Sequence, residues 1–183
     1  MNSRTPEAVG RMSKRKGSKF QRVIAKELGI WWNNDPKSFH STPSSGGLRW
    51  KTDVAKTAGD IVTSEDFPWV VECKNRESWH LEDLFKVPPN KSKVWEFWRQ
   101  LTHDVSRLKE AGTNKARMLI LKRNRLDELC MIAINDIPNI TPNEASVPLF
   151  IKFHDPSEIY LIFPLEYISV VLEPIKSIIK STK

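Results

Sequence analysis

The segment that most constrains this chain is FPWVVECKNRE, residues 67–77, read together with Ala58-Gly59-Asp60 just upstream. Trp69-Val70-Val71 opens a run with the aromatic and β-branched content of a strand. Strand alternation puts Glu72 and Lys74 on one face and Val71 and Cys73 on the other. Residues 58–63, AGDIVT, read as a neighbouring strand with SEDF as the turn between them, so a hairpin is expected. That hairpin would bring the Asp60 carboxylate beside that of Glu72. Two close carboxylates in apolar surroundings repel each other, and each is costly to desolvate. A divalent cation removes the conflict. Magnesium takes carboxylate and carbonyl oxygens, so the expected ligands are Asp60, Glu72 and the backbone carbonyl of Cys73. Lys74 would orient or help activate a water and offset charge developing on a phosphate. Asp60, Glu72 and Lys74 are therefore candidate catalytic residues for in-line phosphodiester hydrolysis. The same spacing also fits a surface Glu–Lys pair on an edge strand with an unrelated Asp in a turn. The apolar strand, the basic segment upstream and the tight approach permitted by Gly59 favour the cation site.

The rest of the pattern supplies a frame for that strand. Phe20, Val23, Ile24 and Leu28 follow helical spacing, which predicts a helix from Gly17 or Ser18 to Leu28. Residues 33–47 are rich in Pro, Ser, Gly and Asn and read as a loop. Residues 78–90 read as irregular or as one short helix. Val94, Trp98, Leu101, Val105 and Leu108 predict a long amphipathic helix over 91–111, ended by Gly112. Strands follow at 116–122 and 129–134, then a loop over 136–147, and PLFIKF and IYLIFPL are further strand candidates. Residues 166–179 read as a helix interrupted at Pro174. This order predicts an α/β fold with a mixed central sheet flanked by helices. The expected organisation is a disordered basic tail over 1–15, a core over 16–135, and a C-terminal extension over 136–183 packed on the same domain.

The net charge of +7 is unevenly spread: residues 1–56 hold 12 Lys/Arg against 4 Asp/Glu, and the remainder 17 against 18. A basic first third fits an electrostatic footprint for a phosphate backbone, although a solubilising tail has the same composition. Lys14, Arg15, Lys16 and Lys19 cluster near the expected helix start, where the helix dipole would add to phosphate attraction, and Arg22 follows. Cys73 and Cys130 each lie in apolar strands and read as buried free thiols, not as a disulfide or zinc set. No run reaches the roughly 18 apolar residues of a membrane span, and the N-terminus has no secretory h-region, so a cytoplasmic location and no membrane partner are expected.

Several short motifs, in order, resemble one known superfamily. GD followed by ECK resembles the PD-(D/E)xK nuclease signature, with Gly59 standing where the signature has Pro. KGSKFQRVIAKELGIWW resembles the first helix of archaeal-type Holliday junction resolvases and related phage nucleases. SSGGLRWKT resembles the Ser/Gly-rich loop before their metal-binding Asp. WEFWRQLTHDVSRLKEAG with ARMLILKRN resembles the helix and strand that follow, including a Gln at Gln100. The resemblance covers about residues 14–135. It implies a PD-(D/E)xK endonuclease-like core and a magnesium-dependent DNA endonuclease, with manganese as an alternative metal. It also implies action on branched DNA, a homodimer, and, if the chain is phage-encoded, the host cytoplasm. DNA contacts are expected from Lys16, Lys19, Arg22, Ser45, Arg49, Lys51, Arg76 and Gln100. Where the family usually has a helix Glu reaching the metal, this chain has Gln21, which can offer a carbonyl oxygen but no charge. Other readings are a nuclease acting on single-stranded ends, flaps or duplex DNA, or a catalytically weakened DNA-binding module.

Overall fold

The computed structural model describes residues 6–42, 58–85, 92–137, 151–154 and 158–181. The first element is a helix, α1 (Pro6–Asn33). Phe20, Ile24, Leu28, Trp31 and Trp32 form its buried stripe, and Asn34, at φ 55°, turns the chain out of it. The expected helix start at Gly17 or Ser18 is corrected: helix begins at Pro6, and the first five residues of the expected tail lie outside the described residues. The first turns lack an apolar stripe, so periodicity gave no signal there, but Glu, Ala, Met, Lys and Arg are adequate helix formers. The correction also removes the helix-dipole argument for Lys14–Lys19, which lie in mid-helix, whereas the dipole acts within the first turn.

Two short strands, β1 (His40–Ser41) and β2 (Ile61–Val62), pair antiparallel. Next come β3 (Trp69–Asn75), a 3-10 turn (Leu81–Phe85) and the helix α2 (Lys93–Glu110). The Ser92 side chain caps α2 by accepting from the Trp95 N–H. Gly112, at φ +83°, closes α2 with bonds from Gly112 N–H to Lys109 C=O and from Thr113 N–H to Leu108 C=O. Strands β4 (Ala116–Lys122), β5 (Leu129–Ala133), β6 (Ile151–His154) and β7 (Ile159–Pro164) follow. The chain ends in a short helix, α3 (Ile168–Val171), and α4 (Glu173–Ser181), with Pro174 in the first turn of α4, where its missing N–H has no partner to lose.

The main sheet has the order β3-β4-β5-β7-β6; β3 and β4 are parallel and the other pairs antiparallel. A parallel pair needs a crossover, and α2 supplies it. Period-2 alternation splits the sheet into two apolar faces. Trp69, Val71, Cys73, Met118, Ile120, Cys130, Ile132, Leu161 and Phe163 face α1 and the C-terminal helices. Val70, Leu119, Leu121, Met131 and Ile162 face α2 through Val94, Phe97, Trp98, Leu101 and Leu108. By the same alternation, Glu72 and Lys74 share the α2 face with Val70. The strands after residue 135 therefore complete the same sheet as β3.

The expected hairpin is corrected. Among the described residues β2 pairs with β1 and not with β3, and Asp60 bridges to the β3 edge, its N–H bonding Val71 C=O at 2.8 Å. Gly59 takes φ +75°, which a continuous strand cannot accommodate, so the ladder breaks at that residue.

Candidate metal and catalytic site

β3 is an edge strand of the main sheet, and its edge geometry builds the site. Ala116 N–H bonds Pro68 C=O, and Arg76 N–H bonds Lys122 C=O. The even-numbered residues of β3 thus spend their N–H and C=O groups on β4, and the odd-numbered residues point theirs outward. Asp60 occupies that outer edge twice. Its N–H takes Val71 C=O, and its Oδ2 accepts the Cys73 N–H at 2.9 Å. Among the described residues, the Asp60 carboxylate thus takes the place that a ladder strand would have on this edge. The Cys73 carbonyl, turned the same way as its N–H, also points to the outer edge. Gly59 permits this: a Cβ there would lie 2.6 Å from Val71 O.

Asp60 and Glu72 are both buried, at 7% and 4% exposure, in a fold that leaves most of its other acids at the surface. Lys74 Nζ donates to Glu72 Oε1 at 2.5 Å and to Gln100 Oε1 at 3.0 Å, and lies 5.4 Å from the centre of the Phe97 ring. Gln100 Nε2 donates to the same Glu72 oxygen at 3.4 Å. From the other face of the sheet, Gln21 of α1 hydrogen-bonds the Asp60 carboxylate. The site is thus reached around the free edge by α1 and α2 together.

The electrostatics follow from that crowding. Burial raises the Asp60 carboxyl above its ordinary range, opposed by the Cys73 N–H, Lys74 and Gln21. Burial, and then the Asp60 charge, push Glu72 up to about 7 against the pull of Lys74. Asp104 of α2 adds to the negative field on both. The sequence reading did not single out Asp104. Its signal was an acid within the apolar stripe of α2, three residues after Leu101 and four before Leu108.

The other expected contacts divide into groups. Lys19, Arg22 and Arg76 are exposed. Lys16 pairs with Glu77 Oε1 at 2.8 Å and Asn124 Oδ1 at 3.0 Å, which ties α1 to the loops after β3 and β4. Ser45, Arg49 and Lys51 lie outside the described residues. Glu27 is near Glu128 and Lys122 and not at the Asp60 edge. Among the described residues no group of three or more His, Cys, Asp or Glu converges as a ready metal cluster. Two carboxylates, an outward carbonyl and a neutral amide still fit magnesium, which keeps several waters of its own. No helix among the described residues is long and apolar enough to cross a membrane.

Comparison with known proteins gives one positive finding. A family profile described as "Phage putative PDDEXK endonuclease" matches residues 12–169. No curated protein and no solved structure matches the chain. The profile spans the helix that brings Gln21, the Asp60 edge, the Glu72–Lys74 strand and the sheet through β7, and on that match the chain belongs to the phage PDDEXK endonuclease family.

Proposed function

We propose that this protein is a magnesium-dependent DNA endonuclease, manganese serving as an alternative, that acts on branched DNA in the manner of a junction resolvase. One observation carries the reading. Asp60, buried, is bound across the edge of β3 beside the buried Glu72, and the half-buried Lys74 is hydrogen-bonded to Glu72. Asp60, Glu72, the Cys73 carbonyl and the Gln21 amide oxygen would hold the cation. Once bound, the cation would relieve the carboxylate repulsion and supply a Lewis acid that polarises phosphate and water. Lys74 would orient the attacking water and offset the charge developing on the phosphate. Water adds to phosphorus in line, the opposite P–O bond breaks, and one proton from the water ends on the leaving oxygen. Gln100 fixes the Lys74 ammonium through its Oε1. The exposed Lys19, Arg22 and Arg76 would meet the backbone, with Ser45, Arg49 and Lys51 as further contacts. Cutting two opposed strands takes two sites, so a symmetric homodimer belongs to this proposal.

A second reading, a weakened nuclease that mainly binds DNA, is favoured by one feature: Gln21 reaches Asp60 with no charge. The test is cleavage of a four-way junction, linear duplex and single-stranded DNA in magnesium, manganese or EDTA. Metal-dependent cutting of the junction, lost in Asp60→Ala and Glu72→Ala, is the expected result. Binding without cutting in either metal would leave the second reading in place. A preference for linear single strands would remove the junction assignment while keeping the nuclease.

A further inference from the structure

Asp104 stands at the one buried position of α2 that is not apolar; its companions are Val94, Phe97, Trp98, Leu101 and Leu108. It is 8% exposed. Among the described residues its nearest basic side-chain atoms are Arg107 Nη1 at 3.8 Å and His103 Nδ1 at 3.9 Å, both beyond hydrogen-bond length. It lies one helical turn after Gln100, on the same side of α2, and Gln100 touches both Lys74 and Glu72. A buried carboxylate whose charge acts on two others, and whose Arg107 contact is too long for a hydrogen bond, is costly unless something else meets it.

We propose that Asp104 is a positioning residue for the cation: its carboxylate, presented from α2, accepts hydrogen bonds from the hydration shell of a divalent ion held at Asp60 and Glu72. It would supply from α2 the third negative charge that Gln21 does not bring from α1. The proposal rests on the metal-dependent reading given above. Asp104 acts at one remove and not as a direct ligand, because the described residues hold no convergent set of three acids. Outer-shell carboxylates of this kind orient the ligands and tune affinity. The field of Asp104 on both Asp60 and Glu72 agrees with this placement. The competing role is purely structural: a helix-surface pair with Arg107 three residues on.

The two roles separate by calorimetric titration of manganese into the metal-free full chain, with circular dichroism to verify folding of each variant. Asp104→Asn is expected to weaken manganese binding about tenfold or more, Asp104→Glu to recover part of it, and Arg107→Gln to leave it unchanged. Metal-free Asp104→Asn should also melt at a higher temperature than the parent chain, since a repulsive charge is gone. Asp104→Ser, smaller and uncharged, repeats the measurement if the amide perturbs α2. Parental affinity in the Asn and Ser variants, or an equal loss in Arg107→Gln, would overturn the role of Asp104 and leave the metal site standing. Manganese affinity that Asp60→Asn does not change would overturn the metal site itself, and Asp104 with it.

Discussion

At Gly59 and Asp60 a backbone conformation decides where a charge goes. Gly59 has φ +75°, and a Cβ there would meet Val71 O at 2.6 Å and Val70 Cγ1 at 2.8 Å. The Pro of the usual signature fixes φ near −65°, so it cannot adopt this turn. In this chain a left-handed glycine sets the Asp60 carboxylate on the β3 edge. Gly59→Ala combines left-handed strain with a backbone clash and should cost at least about 2 kcal/mol in urea unfolding, with loss of cleavage as Asp60 shifts. Parental stability in that variant would mean that the turn relaxes freely. Glu72 makes a second prediction. Its folded carboxyl lies at about 7, above the ordinary value of 4.5. The folded form therefore holds its proton where the unfolded chain has lost it, and stability present below about pH 4.5 is lost as the pH rises toward 7. Metal-free protein should be less stable at pH 7.5 than at pH 5 by on the order of 2–3 kcal/mol from this group. Glu72→Gln should flatten that slope in thermal melts, and an unchanged slope would assign it to other groups.

At the scale of elements, legibility tracks periodicity. Strand β4 and helix α2 matched their sequence patterns closely, because Met118 to Leu121 are buried on both faces and α2 carries an apolar stripe with a glycine stop. Glu72 and Lys74 were legible from alternation alone. The start of α1 was not, since Pro6 to Lys16 carries no stripe to read. The β1–β2 pair was hidden too: each strand has two residues, too short for a pattern, and the partner lies about 20 residues away in sequence. Asp104 breaks the apolar stripe of α2, but a single acid in a stripe does not by itself say what it faces. The C-terminal helix shows what pattern cannot supply. Lys180 Nζ of α4 binds Asp66 Oδ2 at 2.7 Å and Asn33 Oδ1 at 2.9 Å and lies 4.9 Å from the Trp32 ring. Lys176 Nζ donates to the Trp31 carbonyl at the end of α1, where the helix dipole favours positive charge. Burial would raise the Asp66 carboxyl, but Lys180 and the Trp32 N–H outweigh it and hold it well below the carboxylate range. Such stability is present above the unfolded value of about 3.9 and fades as the pH falls through the depressed one. Lys180→Met should therefore lower stability by about 1 kcal/mol at pH 7, allowing for the partial exposure of the lysine. The difference should narrow in chemical denaturation below about pH 4, and a gap that persists in acid would assign it to packing on Trp32 instead.

Over the whole molecule, the candidate site lies where several elements that pack on one sheet meet. Gln21 comes from α1, Asp60 from the segment before β2, Glu72 and Lys74 from β3, and Gln100 from α2. In the metal-free protein these parts meet at two buried acids that repel one another, and Lys74 is the only lysine or arginine hydrogen-bonded to either among the described residues. A cation that binds this arrangement binds only the folded chain, so its binding free energy adds to folding. At a hundred times its dissociation constant that addition is about 2.7 kcal/mol. For a chain of 183 residues, each kcal/mol moves Tm by roughly 2–4 °C, so a rise of about 5–10 °C is expected with saturating manganese or magnesium. The basic first third introduces a confounder, because any salt screens its self-repulsion. Potassium chloride at matched ionic strength isolates that effect and should reproduce little of the shift. Asp60→Asn should abolish the specific part while keeping the screening part. Equal rises in potassium and magnesium, or an undiminished rise in Asp60→Asn, would mean that the cation reports on the surface charge of α1 and not on the buried edge of β3.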